Sequence, residues 1–75
     1  MTFEEWLGLA KEYGQLMYAW DEADRTDLRT MFNQGISPKN AIDALATHYG
    51  LDSFNDLHWG HNPPGYSPEK YEVRP

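Results

Sequence analysis

Thr2-Phe3-Glu4-Glu5-Trp6-Leu7-Gly8-Leu9-Ala10-Lys11-Glu12-Tyr13-Gly14-Gln15-Leu16-Met17-Tyr18-Ala19-Trp20 is the stretch whose reading decides the fold. Thr2 and Glu5 form a capping box, in which each side chain satisfies a free backbone N–H of the other. Phe3, Trp6, Ala10, Tyr13, Met17 and Trp20 then recur at alternating spacings of three and four. Leu9, Leu16 and Ala23 add a second row. The two rows make a wide apolar stripe, the face of a helix that lies against a core. A coiled-coil homodimer through the same helix is the rival arrangement, but the repeat runs for under three heptads. Gly8 and Gly14 lie off the main stripe, each costing about 1 kcal/mol relative to Ala in a helix interior. Gly14 therefore marks a bend or a close backbone approach.

Outward from this helix the chain reads as a series of starts and stops. Residues 21–27, Asp-Glu-Ala-Asp-Arg-Thr-Asp, form a polar hinge in which only Ala23 is apolar. Asp24 or Thr26 caps a second helix that carries Leu28, Met31 and Phe32 on one face and stops at Gly35. Ser37-Pro38 opens a third helix as N-cap and first helical residue. Ile36 staples onto Ala41, and Ala41, Ile42, Leu45 and Tyr49 form its buried stripe. Gly50 ends it, with Leu51 folding back on Ala46 or Leu45. Asp52 or Ser53 caps a short fourth helix, with Phe54 and Leu57 inward and Gly60 as its stop. Residues 61–75 hold four of the five prolines, where regular structure is disfavoured beyond a single turn at Ser67-Pro68. The expected fold is all-α: a helical domain over residues 1–60 with three to four helices and an aromatic core. The proline-rich C-terminal segment 61–75 runs extended and packs on it. Trp6, Tyr13, Met17 and Trp20 form the centre of that core with Phe32, Ile42, Leu45 and Phe54.

A chain of 75 residues supports one small core, and with no cysteine no disulfide can staple it. Three Trp, five Tyr and three Phe supply the bulk instead. The net charge of −6 repels phosphate backbones and anionic lipid, which argues against direct nucleic-acid or membrane binding. The acidic start and the lack of cysteine point to a soluble cytoplasmic protein.

Catalytic and metal chemistry find little purchase. Ser37, Ser53 and Ser67 all stand at helix starts, where capping explains them, and no pair of carboxylates is singled out at catalytic separation. There is no phosphate loop, no H-E-x-x-H and no calcium loop. His58 and His61, with His48 and Asp56, are the only metal-like grouping, and without cysteine they carry no metal assignment. No enzyme activity, cofactor or metal is expected. The turn Gly35-Ile36-Ser37 with Ala41, Ala44 and Leu45 resembles the second-helix region of ubiquitin-associated three-helix domains over less than a third of the chain. The Met-Gly-aromatic loop through which that family binds ubiquitin reads Gln34-Gly35-Ile36 here, and the family is not adopted.

The expected role is therefore a protein–protein interaction module, of the kind phages and mobile elements encode as inhibitors of host proteins. Two regions supply aromatic anchors with a polar rim, the mixture that interfaces favour. One is the segment Trp59, His61, Tyr66 and Tyr71, with the alternative that these aromatics only close the core of a small domain. The other is the hinge, with Tyr18, Asp21, Glu22, Asp24 and Arg25. Two alternatives accompany this reading. The hinge acids could mimic a nucleic acid and occupy a basic surface, although Arg25 and Arg29 interrupt the run. Pro63-Pro64-Gly65-Tyr66 fits the P-P-x-Y ligand of WW domains, which bind a preformed polyproline II segment.

Overall fold

A computed structural model describes all 75 residues, Met1–Pro75. It contains five helices and no strand: α1 (Phe3–Tyr18), α2 (Arg25–Asn33), α3 (Pro38–His48), and the single turns α4 (Phe54–Leu57) and α5 (Pro68–Tyr71). No helix is long and apolar enough to cross a membrane. α1 is the central element and touches each of the other four. Most of its main stripe is thereby buried within the chain, with Leu9 and Leu16 of the second row only partly covered.

The helix ends follow the side chains named in the sequence. Thr2 and Glu5 make the capping box of α1. Asp24 caps α2 by accepting the N–H groups of Thr26 and Asp27. Ser37 caps α3 at the Asn40 N–H, and Ser53 caps α4 at that of Asp56. Gly35 and Gly50 take positive φ after α2 and α3. In each case the following residue donates back into the helix, Ile36 to Met31 and Leu51 to Ala46, as a Schellman end requires. Ser67 is the exception, since it precedes Pro68 but makes no side-chain cap.

Phe3, Trp6, Leu7, Ala10, Tyr13 and Met17 of α1 bury against Leu28, Ala41, Ile42 and Leu45. Trp6 is fully enclosed, meets Phe32 edge-on at 5.7 Å, and its indole N–H donates to the Ile36 carbonyl at 2.9 Å. One side chain thus packs the core and satisfies the turn between α2 and α3.

Several expected positions move. Trp20 is not in α1: the helix ends at Tyr18, Ala19 adopts a left-handed conformation, and the Trp20 N–H turns back to the Gly14 carbonyl. This explains Gly14, because a Cβ there would collide with the Trp20 carbonyl oxygen. Trp20 is half-buried at the rim, edge-on to Tyr49 at 5.7 Å. Phe32 and Phe54 are also at the rim of the core rather than its centre. Tyr49, assigned to the buried stripe of α3, is the residue that caps its end and is exposed. Leu57, expected inward, is exposed as well; a single turn offers one inward position and Phe54 takes it.

The C-terminal segment is folded rather than extended. Pro63 is buried, and the Tyr66 N–H closes a turn on the Pro63 carbonyl with Gly65 at positive φ. α5 then places Tyr71 against α1, only 1% exposed, its hydroxyl donating to Glu12 at 2.9 Å. Lys70 reaches the same carboxylate at 2.6 Å. The radius of gyration, 11.6 Å, is close to the ~11 Å of a folded chain this long, so the segment adds little to its dimensions.

Candidate functional site

Four of the six exposed large apolar side chains lie close together along the chain. Tyr49, Leu51, Leu57 and Trp59 fall within eleven residues of one another, and only Met1 and Val73 lie elsewhere. Trp59 is 95% exposed, Leu57 64% and Tyr49 56%. A stray surface leucine means little, but four such side chains in one short stretch, with Trp59 almost wholly uncovered, make it the candidate site.

The backbone beneath is fixed. Gly50 turns the chain out of α3, and Ser53 starts α4 after the Leu51 return. Phe54 packs on the core, and the His58 ring stacks on it at 3.8 Å, nearly parallel, with Nδ1 2.8 Å from the Phe54 carbonyl. Beyond α4 the Gly60 N–H donates to Asn55 at 2.7 Å and the His61 N–H to His58 at 3.0 Å. The Asn55 side chain reaches Asn62 at 3.3 Å. Trp59 sits between these anchors with φ of 57°. That left-handed conformation costs a side-chain-bearing residue about 1–2 kcal/mol. Bulky residues rarely adopt it; here it closes α4, since the Gly60 N–H to Asn55 is the same return bond that ends α2 and α3. Hydrogen bonds on both sides of Trp59 thus hold its backbone in this conformation while its side chain stays uncovered.

The remaining candidates divide. His61 is exposed beside Trp59. Tyr71 belongs to the core, and Tyr66 stacks on it at 5.8 Å with nearly parallel rings. Asp21 and Glu22 are exposed; Asp21 is 3.5 Å from the Gln15 amide. Asp24 is occupied as the cap of α2, and Arg25 pairs with Glu4 across to α1. The two proposed regions meet at one place: Tyr18 from the hinge side and Tyr66 from the tail line the same cleft of about 270 Å³.

Asp43 is the polar centre of that cleft, and sequence reasoning missed it. Its Oδ1 accepts the hydroxyls of Tyr13 at 2.6 Å and Tyr18 at 2.8 Å, and its Oδ2 accepts Lys39 Nζ at 2.9 Å. Burial, reinforced by the bond to Asp43, pushes both tyrosines far above their usual range. The same carboxylate raises the Lys39 ammonium through its hydrogen bond. All three donors therefore hold their protons, and the carboxylate is fully engaged. The cluster cross-links α1 to α3 and offers neither a free base nor an activated nucleophile. The i,i+4 spacing of Lys39 and Asp43 was its one sequence signal; the two tyrosines arrive by tertiary packing. No three His, Asp or Glu side chains are placed to hold a metal ion.

No family model, no curated protein and no solved structure matches the chain.

Proposed function

We propose that the chain is a non-catalytic protein-interaction module that engages its partner through the surface formed by Tyr49, Leu51, Leu57 and Trp59. The observation that carries this reading is Trp59: uncovered, strained and held between hydrogen-bonded anchors. Tryptophan is the residue most enriched among the strongest interface contacts, and such contacts insert into pockets on the partner. Charge narrows the partner further. The stretch from Tyr49 to His61 contains Asp52 and Asp56 but no Lys or Arg. The complementary surface is an apolar socket with a basic rim, and the acids would serve association rate and selectivity more than affinity. A role as an inhibitor of a host protein fits this small acidic binder, and a cytoplasmic setting fits the lack of cysteine.

Neither alternative gains a specific observation. Asp24 is used as a cap and Arg25 is paired at the hinge, which dilutes its acidity. The Pro63–Tyr66 segment is a closed turn with Pro63 buried, so a WW groove would have to open it. The test is affinity capture from native cell extract with the full chain and with Trp59→Ala, read by mass spectrometry. Proteins held by the parent chain and lost from Trp59→Ala, with both chains equally folded, support the proposal. Identical captured sets overturn it.

A further inference from the structure

We infer that the groove between the start of α1 and the first two turns of α2 is a binding site for a single oxyanion, a carboxylate or phosphate group. Its five lining residues are Phe3, Arg25, Thr26, Arg29 and Thr30, around a volume of about 330 Å³. The guanidinium carbons of Arg25 and Arg29 lie 5.1 and 4.7 Å from the centre of the Phe3 ring. Arg29 also lies 5.8 Å from that of Phe32. Two like charges four residues apart on one helix repel mildly, so their convergence on one aromatic ring makes the groove locally favourable to a counter-charge. Glu4 supplies it for Arg25 at 2.5 Å. Arg29, exposed at the surface, has no carboxylate partner; Lys11 and Arg74 have none either, but Arg29 alone of the three lines a groove beside a second arginine. In a chain of net charge −6, acids to pair with Arg29 were plentiful. Asp27, two residues from each arginine, projects from a different side of the helix.

The aromatic contacts hold the side chains in place, and a guanidinium so held can present its N–H edge to a planar or tetrahedral oxyanion. The Thr26 hydroxyl adds a donor at the rim; that of Thr30 is already spent on the Thr26 carbonyl at 3.1 Å. The acidity of the rest of the surface restricts the ligand to one carrying little further negative charge, which excludes polyanions. This site uses none of the residues of the Trp59 surface, so either assignment can fail alone.

The test is an NMR titration of the full-length chain, following backbone amides and arginine Nε–Hε signals. Inorganic phosphate and acetate are added separately at constant ionic strength set with chloride. The expected result is a saturable shift confined to Phe3, Arg25–Thr30 and the two arginine side chains. Arg29→Gln should weaken it about tenfold or more, the loss of one charge-assisted fork, while Arg29→Lys should fall between. Arg25→Gln is the second variant and should also weaken it. A stronger response to phosphate names a phosphoryl ligand, and a stronger response to acetate a carboxylate; both support the site. Shifts that never saturate with either ion, or that persist unchanged in both Gln variants, overturn it.

Discussion

Trp6 and Trp59 are the same residue type put to opposite uses. Trp6 is fully enclosed and bonds the Ile36 carbonyl. Trp6→Ala should cost about 3–5 kcal/mol, a large share of the ~5–15 kcal/mol that holds a domain together. Thermal unfolding by circular dichroism should show the loss directly. Trp59→Gly should do the reverse, because relief of the positive-φ strain outweighs glycine's greater loss of chain entropy and no packing is lost. A gain of about 1 kcal/mol, or several degrees in Tm, is expected from the same measurement. A fall in Tm would mean that Trp59 packs on the fold. The sequence singled out Trp59 and His61, yet it sent Tyr49 and Leu57 to the core. Their spacing from Leu45 and Phe54 is right for a buried face, but Tyr49 falls just past the end of α3, and the single turn of α4 meets the core through Phe54 and not Leu57. α3 ends at His48, and α4 is one turn long. Trp20 was misplaced for the same reason, two residues beyond the end of α1.

At the scale of elements, the starts and stops were the most legible feature. Thr2, Asp24, Ser37 and Ser53 cap where local hydrogen bonding says they should, since a cap is decided within four residues. What a cap cannot show is how two elements meet. Gly14 is needed because the chain leaving α1 folds back over it, and Gly14→Ala should destabilise by about 1–3 kcal/mol through forced displacement of the Trp20 carbonyl. The docking of α5 was equally hidden, because Glu12 and Tyr71 are remote in sequence. Their titration gives the dock a pH signature. Hydrogen bonds from Lys70 and then Tyr71 hold the Glu12 carboxyl below its ordinary 4.5. Its contribution is therefore present above pH 4.5 and is lost as pH falls through the lowered value. Burial, then the bond to Glu12, pushes Tyr71 up to about 12 from 10. That contribution is complete below pH 10 and is lost as pH rises through about 12. Glu12→Gln should flatten the acid limb of a Tm-against-pH profile; an unchanged limb would remove Glu12 from the latch.

For the whole molecule, the all-helical class was readable from the α1 stripe and the capping pattern, and so was a turn at Ser67-Pro68 in a segment laid on the helices; how deeply that segment enters the core was not. Proline content suggested an extended strap, but burial of Pro63 and Tyr71 makes the segment one wall of the core. A chain ending at Gly60 should melt well below the parent or aggregate, because α1 then exposes the face that Tyr71 covers. If it melts with the parent, the segment is dispensable for folding. The functional proposal rests on a different point, that Trp59 is the side chain a partner covers. Labelling Trp6, Trp20 and Trp59 with 5-fluorotryptophan gives one fluorine signal for each in NMR, so the claim can be read in native cell extract before any partner is known. The expected result is that the Trp59 signal alone loses its solvent-isotope shift and broadens or moves, while the Trp6 signal keeps its position. A Trp59 signal that stays sharp and solvent-exposed in extract, or one that changes no more than those of Trp6 and Trp20, contradicts the proposal.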